Sequence, residues 1–372
     1  MGKTRIRYGI VGLGHITQTA ILPAFQNCKK SSLSALISSD KKKLKQLSQQ
    51  YRIKNTYTYE EYEECLQSGE IDAVYIALPN HLHKEYTIRA AEAGIHVLCE
   101  KPMAITSEEC EEMIQACDEN QVKLMIAYRL HFEAANLKAI EMIHKKKKIG
   151  EPKLFQSIHS QATNYPNIRT LPTSQGGGPT YDLGIYDINA SRYLFQDEPI
   201  SVFAEAVKSN QPQLKEIEES VSAVLKFPGD RLASIIYSYG TADTDTFRVA
   251  GTQGDLSLDP AYTYHGEKKL TLTIEEKKSD KTFKPSDHFA PEMDYFSECI
   301  RKNRTPEPSG LEGLADVRII EAILRSAENK ERIEITPIQK KARPNIKQKI
   351  ERPAIKPPKI IHAQKPSRKK AA

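Results

Sequence analysis

The 372 residues carry 54 Lys+Arg against 48 Asp+Glu, a net charge of +6, and 39% are hydrophobic. That length suggests two domains at roughly 100–200 residues each, and no apolar run approaches the roughly 18 residues of a membrane span. Six cysteines with no Cys-x-x-Cys pair exclude a disulfide scaffold and a Cys-type zinc finger. The expectation is a soluble, cytoplasmic protein with no secretory signal ahead of its first strand.

The first half alternates strand and helix. Ile6–Val11 is a short apolar run, and a helix over Ile16–Phe25 follows it. A strand at Leu33–Ile37 and a helix at Lys41–Tyr51 come next. Ala73–Leu78 is almost continuously apolar, as a strand covered on both faces should be. A helix at His81–Ala93, a strand at His96–Cys99, a helix at Ser107–Asn120 and a strand at Lys123–Ala127 complete the pattern. Such alternation implies βαβ units and a parallel sheet. Residues 1–130 are therefore expected to form a doubly wound α/β domain of Rossmann type.

Gly12-x-Gly14-x-x-Thr17 lies directly after a strand and opens a helix, the context in which a glycine pattern indicates a dinucleotide site. Gly12, Leu13, Gly14, His15 and Ile16 would line the pyrophosphate, which meets the positive end of the helix. Thr17 stands where Gly or Ala is usual. At the end of the second strand an NAD site places an acid on the ribose 2′-OH. Here Ser38, Ser39 and Asp40 precede Lys41, Lys42 and Lys43. Hydroxyls and ammonium groups suit a 2′-phosphate, so Ser38, Ser39 and Lys43 point to NADP. NAD is the alternative, with Asp40 as the acid if the register shifts by two.

Beyond residue 150, strands are expected at Lys153–Ser160, Val202–Val207, Ser220–Phe227 and Leu232–Tyr239. Helical periodicity returns at Pro291–Arg301 and Leu311–Asn329. The charge is unevenly placed. Residues 337–372 hold 12 Lys/Arg against Glu351 alone, a net +11, which leaves −5 for the first 336. With six prolines and no aromatic residue, this tail is expected to be disordered. It would be a solvated extension, or a contact for nucleic acid or an acidic surface.

Leu78-Pro79-Asn80-His81-Leu82-His83, Cys99-Glu100-Lys101-Pro102, Met125-Ile126-Ala127-Tyr128-Arg129 and Gly176-Gly177-Gly178-Pro179-Thr180-Tyr181-Asp182-Leu183-Gly184-Ile185-Tyr186 form a recognisable set. Together they resemble the Gfo/Idh/MocA oxidoreductases, and within them the glucose–fructose oxidoreductase branch. The resemblance runs from about residue 5 to 335. It implies an N-terminal NAD(P)-binding domain. A second α/β domain at 131–336 would have an open, mainly antiparallel sheet that carries the substrate and often the subunit interface. The likeness also implies hydride transfer between nicotinamide and a sugar or polyol carbonyl or alcohol, in a homo-oligomer. Leu78, Pro79, Asn80, His83, Glu100, Lys101 and Arg129 would join the cofactor site.

The catalytic set would be Lys101, Asp182 and Tyr186. Lys101 would polarise the substrate oxygen, and its ammonium would help Tyr186 act as general acid/base. Asp182, four residues before Tyr186 and on the same helical face, would anchor a hydroxyl and orient Lys101. His81 and His83 lack the further spaced ligands of a metal site. Glucose–fructose oxidoreductases carry an N-terminal arm that helps retain the cofactor, and only about four residues precede the first strand here. The alternative is therefore an exchanging aldose, 1,5-anhydrosugar or dihydrodiol dehydrogenase. A non-catalytic NAD(P)-sensing regulator is the reading from another class, and the presence of Lys101 argues against it.

Overall fold

The computed structural model describes residues 5–209, 212–340 and 342–365. The chain forms two units. The first comprises residues 5–129, Ser286–Gly313 and Glu351–Lys365; the second comprises Leu130–Pro285 and Leu314–Ile350.

In the first unit β1 (Ile6–Val11), β2 (Ser31–Ile37), β3 (Asn55–Tyr57), β4 (Ala73–Ile76), β5 (His96–Cys99) and β6 (Leu124–Ile126) form one parallel sheet. Their order is β3-β2-β1-β4-β5-β6, so the strand order reverses between β1 and β4. That reversal is the switch point where ligands of doubly wound sheets bind. All four residues of β4 are fully buried, as expected for a strand covered on both faces. A π-helical turn at Thr17–Ile21 leads into α1 (Leu22–Ala24). The other helices are α2 (Lys41–Tyr51), α3 (Tyr62–Gln67), α4 (His83–Glu92) and α5 (Ser107–Glu119). The Thr106 hydroxyl accepts the N–H of Glu109 and so caps α5, one residue ahead of the expected start.

The first unit is discontinuous in sequence because α8 (Phe289–Arg301), expected within the second domain, packs here. Asp294, 1% exposed, explains the placement. Its carboxylate accepts the backbone N–H groups of Lys29 (2.9 Å) and Lys30 (2.8 Å) and a bond from Arg352 Nη2 (2.9 Å).

The second unit is built on nine strands in the order β14-β13-β12-β11-β7-β10-β9-β8-β15. They are β7 (Pro152–Ser160), β8 (Ser201–Val207), β9 (Ser220–Phe227), β10 (Arg231–Ser238), β11 (Thr244–Gly251), β12 (Asp255–Asp259), β13 (Lys268–Ile274), β14 (Lys277–Phe283) and β15 (Ile333–Glu334). Only β7 and β10 run parallel, which makes the sheet open and mainly antiparallel. Its helices are α6 (Ala134–Ile140) and α7 (Ile185–Phe195); α9 spans Gly310–Asn329.

The tail, expected to be disordered, has almost no regular secondary structure, but its described part makes several polar contacts. Lys340 and Arg343 pair with Glu198 at 3.8 and 2.8 Å, Asn345 caps a single turn at Ile346–Gln348, and Pro353 bridges to Ser286. The segment buries little apolar surface. Its contacts are ion pairs and hydrogen bonds to buried acids. Residues 366–372 of that expectation lie outside the described residues.

Glu198 belongs to a buried network in which Arg192, fully buried, pairs with both Glu198 (2.6 Å) and Asp316. Burial opposes ionisation of Glu198, but Arg192, Lys340 and Arg343 overcome it and lower its pKa. A carboxylate depressed in the folded state stabilises above its unfolded pKa and loses that contribution as pH falls through the folded value. Glu198→Gln is expected to cost about 3–5 kcal/mol at neutral pH, because it leaves a buried guanidinium short of a partner. In calorimetric melts, the gap between wild type and variant should narrow as pH drops below about 4.5, the ordinary glutamate value.

Candidate functional site

The first unit builds a nucleotide cradle at the carboxyl ends of β1 and β4. Gly12 has φ +93°, and a Cβ there would stand 2.4 Å from the Ala77 carbonyl oxygen, so only glycine fits. Its N–H donates to Ile37 O at 3.0 Å, tying the turn to the end of β2. A Cβ on Gly14, by contrast, would meet nothing within 4 Å, so the turn faces open space. This is the room a pyrophosphate needs in front of the helix start. Leu13 is buried, while Gly14, His15 and Ile16 are half-buried along the turn. Thr17 accounts for the imperfect glycine pattern: it is fully buried and its hydroxyl donates to Gly12 O at 2.8 Å.

β2 ends at Ile37, which puts Ser38 at the strand end, where a Rossmann site reads the ribose. Ser38 is buried and Ser39 exposed. Asp40 is engaged elsewhere. Its Oδ1 accepts the N–H of Lys43 (2.9 Å) as the cap of α2, and its Oδ2 lies 4.0 Å from Lys43 Nζ. That capping bond, and the Lys43 charge, hold the Asp40 pKa below the usual range. With β2 ending at Ile37, Asp40 lies three residues past the strand end.

The edge of β4 and β5 carries the rest. Leu78 is buried, and Pro79 precedes a single turn at Asn80–Leu82. His83, expected among the cofactor contacts, is instead fully buried inside this edge. Its Nδ1 and Nε2 each stand 2.9 Å from a carbonyl oxygen, of Pro102 and Leu78 respectively. Burial lowers its pKa, and the two carbonyls oppose that shift. The ring thus staples the 78–80 loop to the peptide after Lys101.

Glu100 accepts the Tyr75 hydroxyl (2.9 Å) on one carboxylate oxygen and the Lys101 N–H (3.2 Å) on the other. Burial raises its pKa, opposed by Lys101 and Arg129. Fully buried Glu292 of α8 is pushed well above the carboxylate range by burial and by Glu100. Arg129 is buried, with Nη1 3.3 Å from His288 Nδ1. Lys101 is half-buried, at the end of β5.

The second unit holds Asp182 and Tyr186, both half-buried. Asp182 lies in a π-helical turn, Thr180–Gly184, that runs straight into α7, where Tyr186 occupies the first turn. Single π turns inside helices often mark functional positions. Asp182 Oδ2 accepts bonds from Arg169 Nε (2.7 Å) and the Tyr239 hydroxyl (3.0 Å). The ring of Tyr186 lies 5.5 Å from that of His159 and 5.8 Å from that of Tyr262. Beneath it, fully buried Asp187 hydrogen-bonds Ser157, which also shares a 2.7 Å bond with the Tyr262 hydroxyl. Burial pushes the Asp187 pKa well above the usual range.

Close approach at the glycine run is to the protein's own backbone. A Cβ on Gly177 would stand 1.7 Å from Leu171 O, which fixes the 163–175 loop that carries Arg169. Arg169, His159, Tyr239 and Tyr262 join the site without a signal in the sequence. His159 lies in β7, Arg169 in a turn at Ile168–Thr170, Tyr239 just after β10 and Tyr262 after β12, and no local spacing marks them. Among the described residues, no group of three or more His, Cys, Asp or Glu could hold a metal ion.

Comparison with known proteins agrees with this architecture. Residues 6–128 match the family described as oxidoreductases with an NAD-binding Rossmann fold, and 137–257 match the Gfo/Idh/MocA C-terminal domain. The chain is 31% identical to an NADP-dependent D-xylose 1-dehydrogenase of Haloarcula marismortui, over 89% of this chain and 93% of that protein. It is 28% identical to a 1,5-anhydro-D-fructose reductase of Ensifer adhaerens, over 73% and 82% respectively. An aldose-aldose oxidoreductase from Caulobacter crescentus, solved with glycerol, superposes with a TM-score of 0.85 at 35% identity, covering 89% of this chain and all of that one. The chain belongs to the Gfo/Idh/MocA oxidoreductase family.

Proposed function

We propose that the protein is an NADP-dependent oxidoreductase that moves a hydride between nicotinamide and the carbonyl or alcohol carbon of a sugar or polyol. One observation carries this reading: an open Gly14 turn and the Glu100–Lys101 pair share the carboxyl edge of one parallel sheet. When bound, the nicotinamide supplies or accepts the hydride. The chain's own groups orient the sugar and move the proton. Lys101 donates to the reacting oxygen, and Glu100 holds the Lys101 backbone in place. Tyr186 gives or takes the hydroxyl proton, backed by an aromatic wall of His159 and Tyr262. Asp182, with its charge balanced by Arg169, accepts a neighbouring sugar hydroxyl.

Ser38 at the strand end, with Lys43 close by and Asp40 engaged in capping, supports a 2′-phosphate. The named relatives favour two variants of this activity. An NADP-dependent xylose dehydrogenase and an aldose-aldose oxidoreductase among the relatives leave room for an enzyme that exchanges NADP and for one that couples the oxidation of one sugar to the reduction of another.

The second unit also supports a homo-oligomer. Leu154, Ile158, Phe203, Val207, Val224 and Ile236 are 37–59% exposed on the neighbouring strands β7, β10, β9 and β8. The register pairs Ile236 with Ile158 and Phe203 with Val224, which makes one apolar face. A patch of this kind on a folded chain marks an interaction surface, and a second copy of the same sheet is its occupant.

An NADP(H)-coupled screen over aldoses and polyols should find turnover that Lys101→Met lowers by about 10²–10³-fold, the cost of one lost donor at a developing charge. No turnover on any substrate, or undiminished turnover in the variant, would contradict the mechanism. Phe203→Asp/Ile236→Asp should reduce the mass measured by light scattering to that of one chain without lowering the unfolding temperature of the monomer core. An unchanged mass would rule out this face.

A further inference from the structure

The basic tail is the feature that the proposed activity leaves without a task. Its described end does not stop at the first convenient surface. Arg352 already fixes it to the first unit, through Asp294 (2.9 Å) and Asn27 O (2.9 Å), and Asn27 Nδ2 donates to Pro353 O at 2.9 Å. These contacts suffice to hold the chain down, yet it continues to the nucleotide cradle.

There, Ile361 is clasped from both sides by a single side chain. Its N–H donates to Gln18 Oε1 at 2.7 Å, and its carbonyl accepts from Gln18 Nε2 at 2.9 Å. The same Nε2 donates to Leu13 O at 2.9 Å, inside the pyrophosphate turn. Gln18 is 1% exposed, so this amide is withdrawn from water and divided between the turn and the tail. The next residue, His362, places Nδ1 3.4 Å from Oδ2 of Asp40, which caps α2 two residues beyond Ser38. Two consecutive residues thus reach Gln18, whose amide also holds the pyrophosphate turn at Leu13 O, and Asp40, two residues beyond Ser38. With Cα atoms about 3.8 Å apart, the connecting backbone runs along the edge between those two points. The adenosine half of a dinucleotide occupies that edge in this fold.

We infer that Ile361–His362 is a strap over the adenosine half of the nucleotide site, with the His362 imidazole on the 2′-phosphate side. It lets NADP enter by releasing Ile361 from Gln18 and slows its exit once the clasp re-forms. The inference rests on the reading that this site takes NADP. Slow exit favours the variant in which one nucleotide serves two sugars in turn.

The test is the rate at which NADPH leaves, followed by its fluorescence after mixing the loaded protein with excess NADP. Three proteins are compared with the full chain. One stops after Lys359 and keeps the Arg352 and Pro353 anchors. The second is full-length Ile361→Pro, which lacks the N–H donated to Gln18. The third is His362→Ala. Release should speed up by about tenfold or more in the first two, since such contacts act chiefly on dissociation rates. His362→Ala should speed NADPH release by about threefold and leave NADH release unchanged, as expected for a bond to the 2′-phosphate alone. Unfolding temperatures of the nucleotide-free proteins should not change.

Equal release rates across all proteins would overturn the strap and leave the proposed activity standing. So would a lower nucleotide-free unfolding temperature with unchanged release, which marks a structural tie only. Failure of the full chain to bind NADPH would overturn both. If the shortened chain does not fold, the release rate of Ile361→Pro decides between the same outcomes.

Discussion

The nucleotide edge depends on one steric constraint, the absence of a Cβ at Gly12. With 2.4 Å between that missing atom and Ala77 O, β1 and β4 diverge with their backbones in direct approach. The Gly12 N–H reaches across to Ile37 and sets the end of β2 as well. Three strand ends are thereby referred to a single peptide. Everything that reads a dinucleotide follows from it: the open turn at Gly14, the Thr17 hydroxyl on Gly12 O, and Ser38 at its strand end. Gln18, one turn further, extends the same reference frame to the tail.

Charge placement gives a second layer. By composition, a −5 body and a +11 tail are separate objects. In the fold, part of that difference is joined as pairs. Glu198 takes Arg343 and Lys340, Asp294 takes Arg352, and Asp40 faces His362. Elsewhere burial acts the other way and raises Glu292 and Asp187 well above the carboxylate range. The acids beside the proposed chemistry therefore divide by environment. Asp182 has a guanidinium partner at 2.7 Å, and Asp187, five residues further along, is fully buried with a Ser157 hydrogen bond and His159 Nδ1 at 3.9 Å.

Much of the first unit is legible in the sequence because its signals are local. The β1 and α2 boundaries and the His96–Cys99 strand match the hydrophobic pattern, since a doubly covered strand and a half-buried helix each leave a simple period. What escapes is non-local. Strands β11 to β13 place few apolar residues on their buried face, and β14 is almost entirely exposed, so it carries no apolar face at all. The ion pairs of the tail are hidden from composition because their acids, Glu198 and Asp294 among them, are distant in sequence. His83 has the sequence position of a ligand contact, but its two ring nitrogens answer carbonyls of loops 5 and 19 residues away. Asp182 and Tyr186 can be chosen by motif, whereas Arg169 and Tyr239, which hydrogen-bond Asp182, cannot.

Direct hydride transfer at one sugar carbon is the central claim, and isotopic labelling tests it most directly. The protein would be incubated with NADP and an aldose bearing deuterium at C1, and the nucleotide analysed by mass spectrometry. Oxidation breaks the C1–D bond, sends the deuteride to the nicotinamide ring and releases the hydroxyl proton, leaving the lactone. The expected result is one deuterium in the reduced nucleotide for each lactone formed. Lactone formed with an unlabelled nucleotide, or no lactone from any aldose tried, would contradict it.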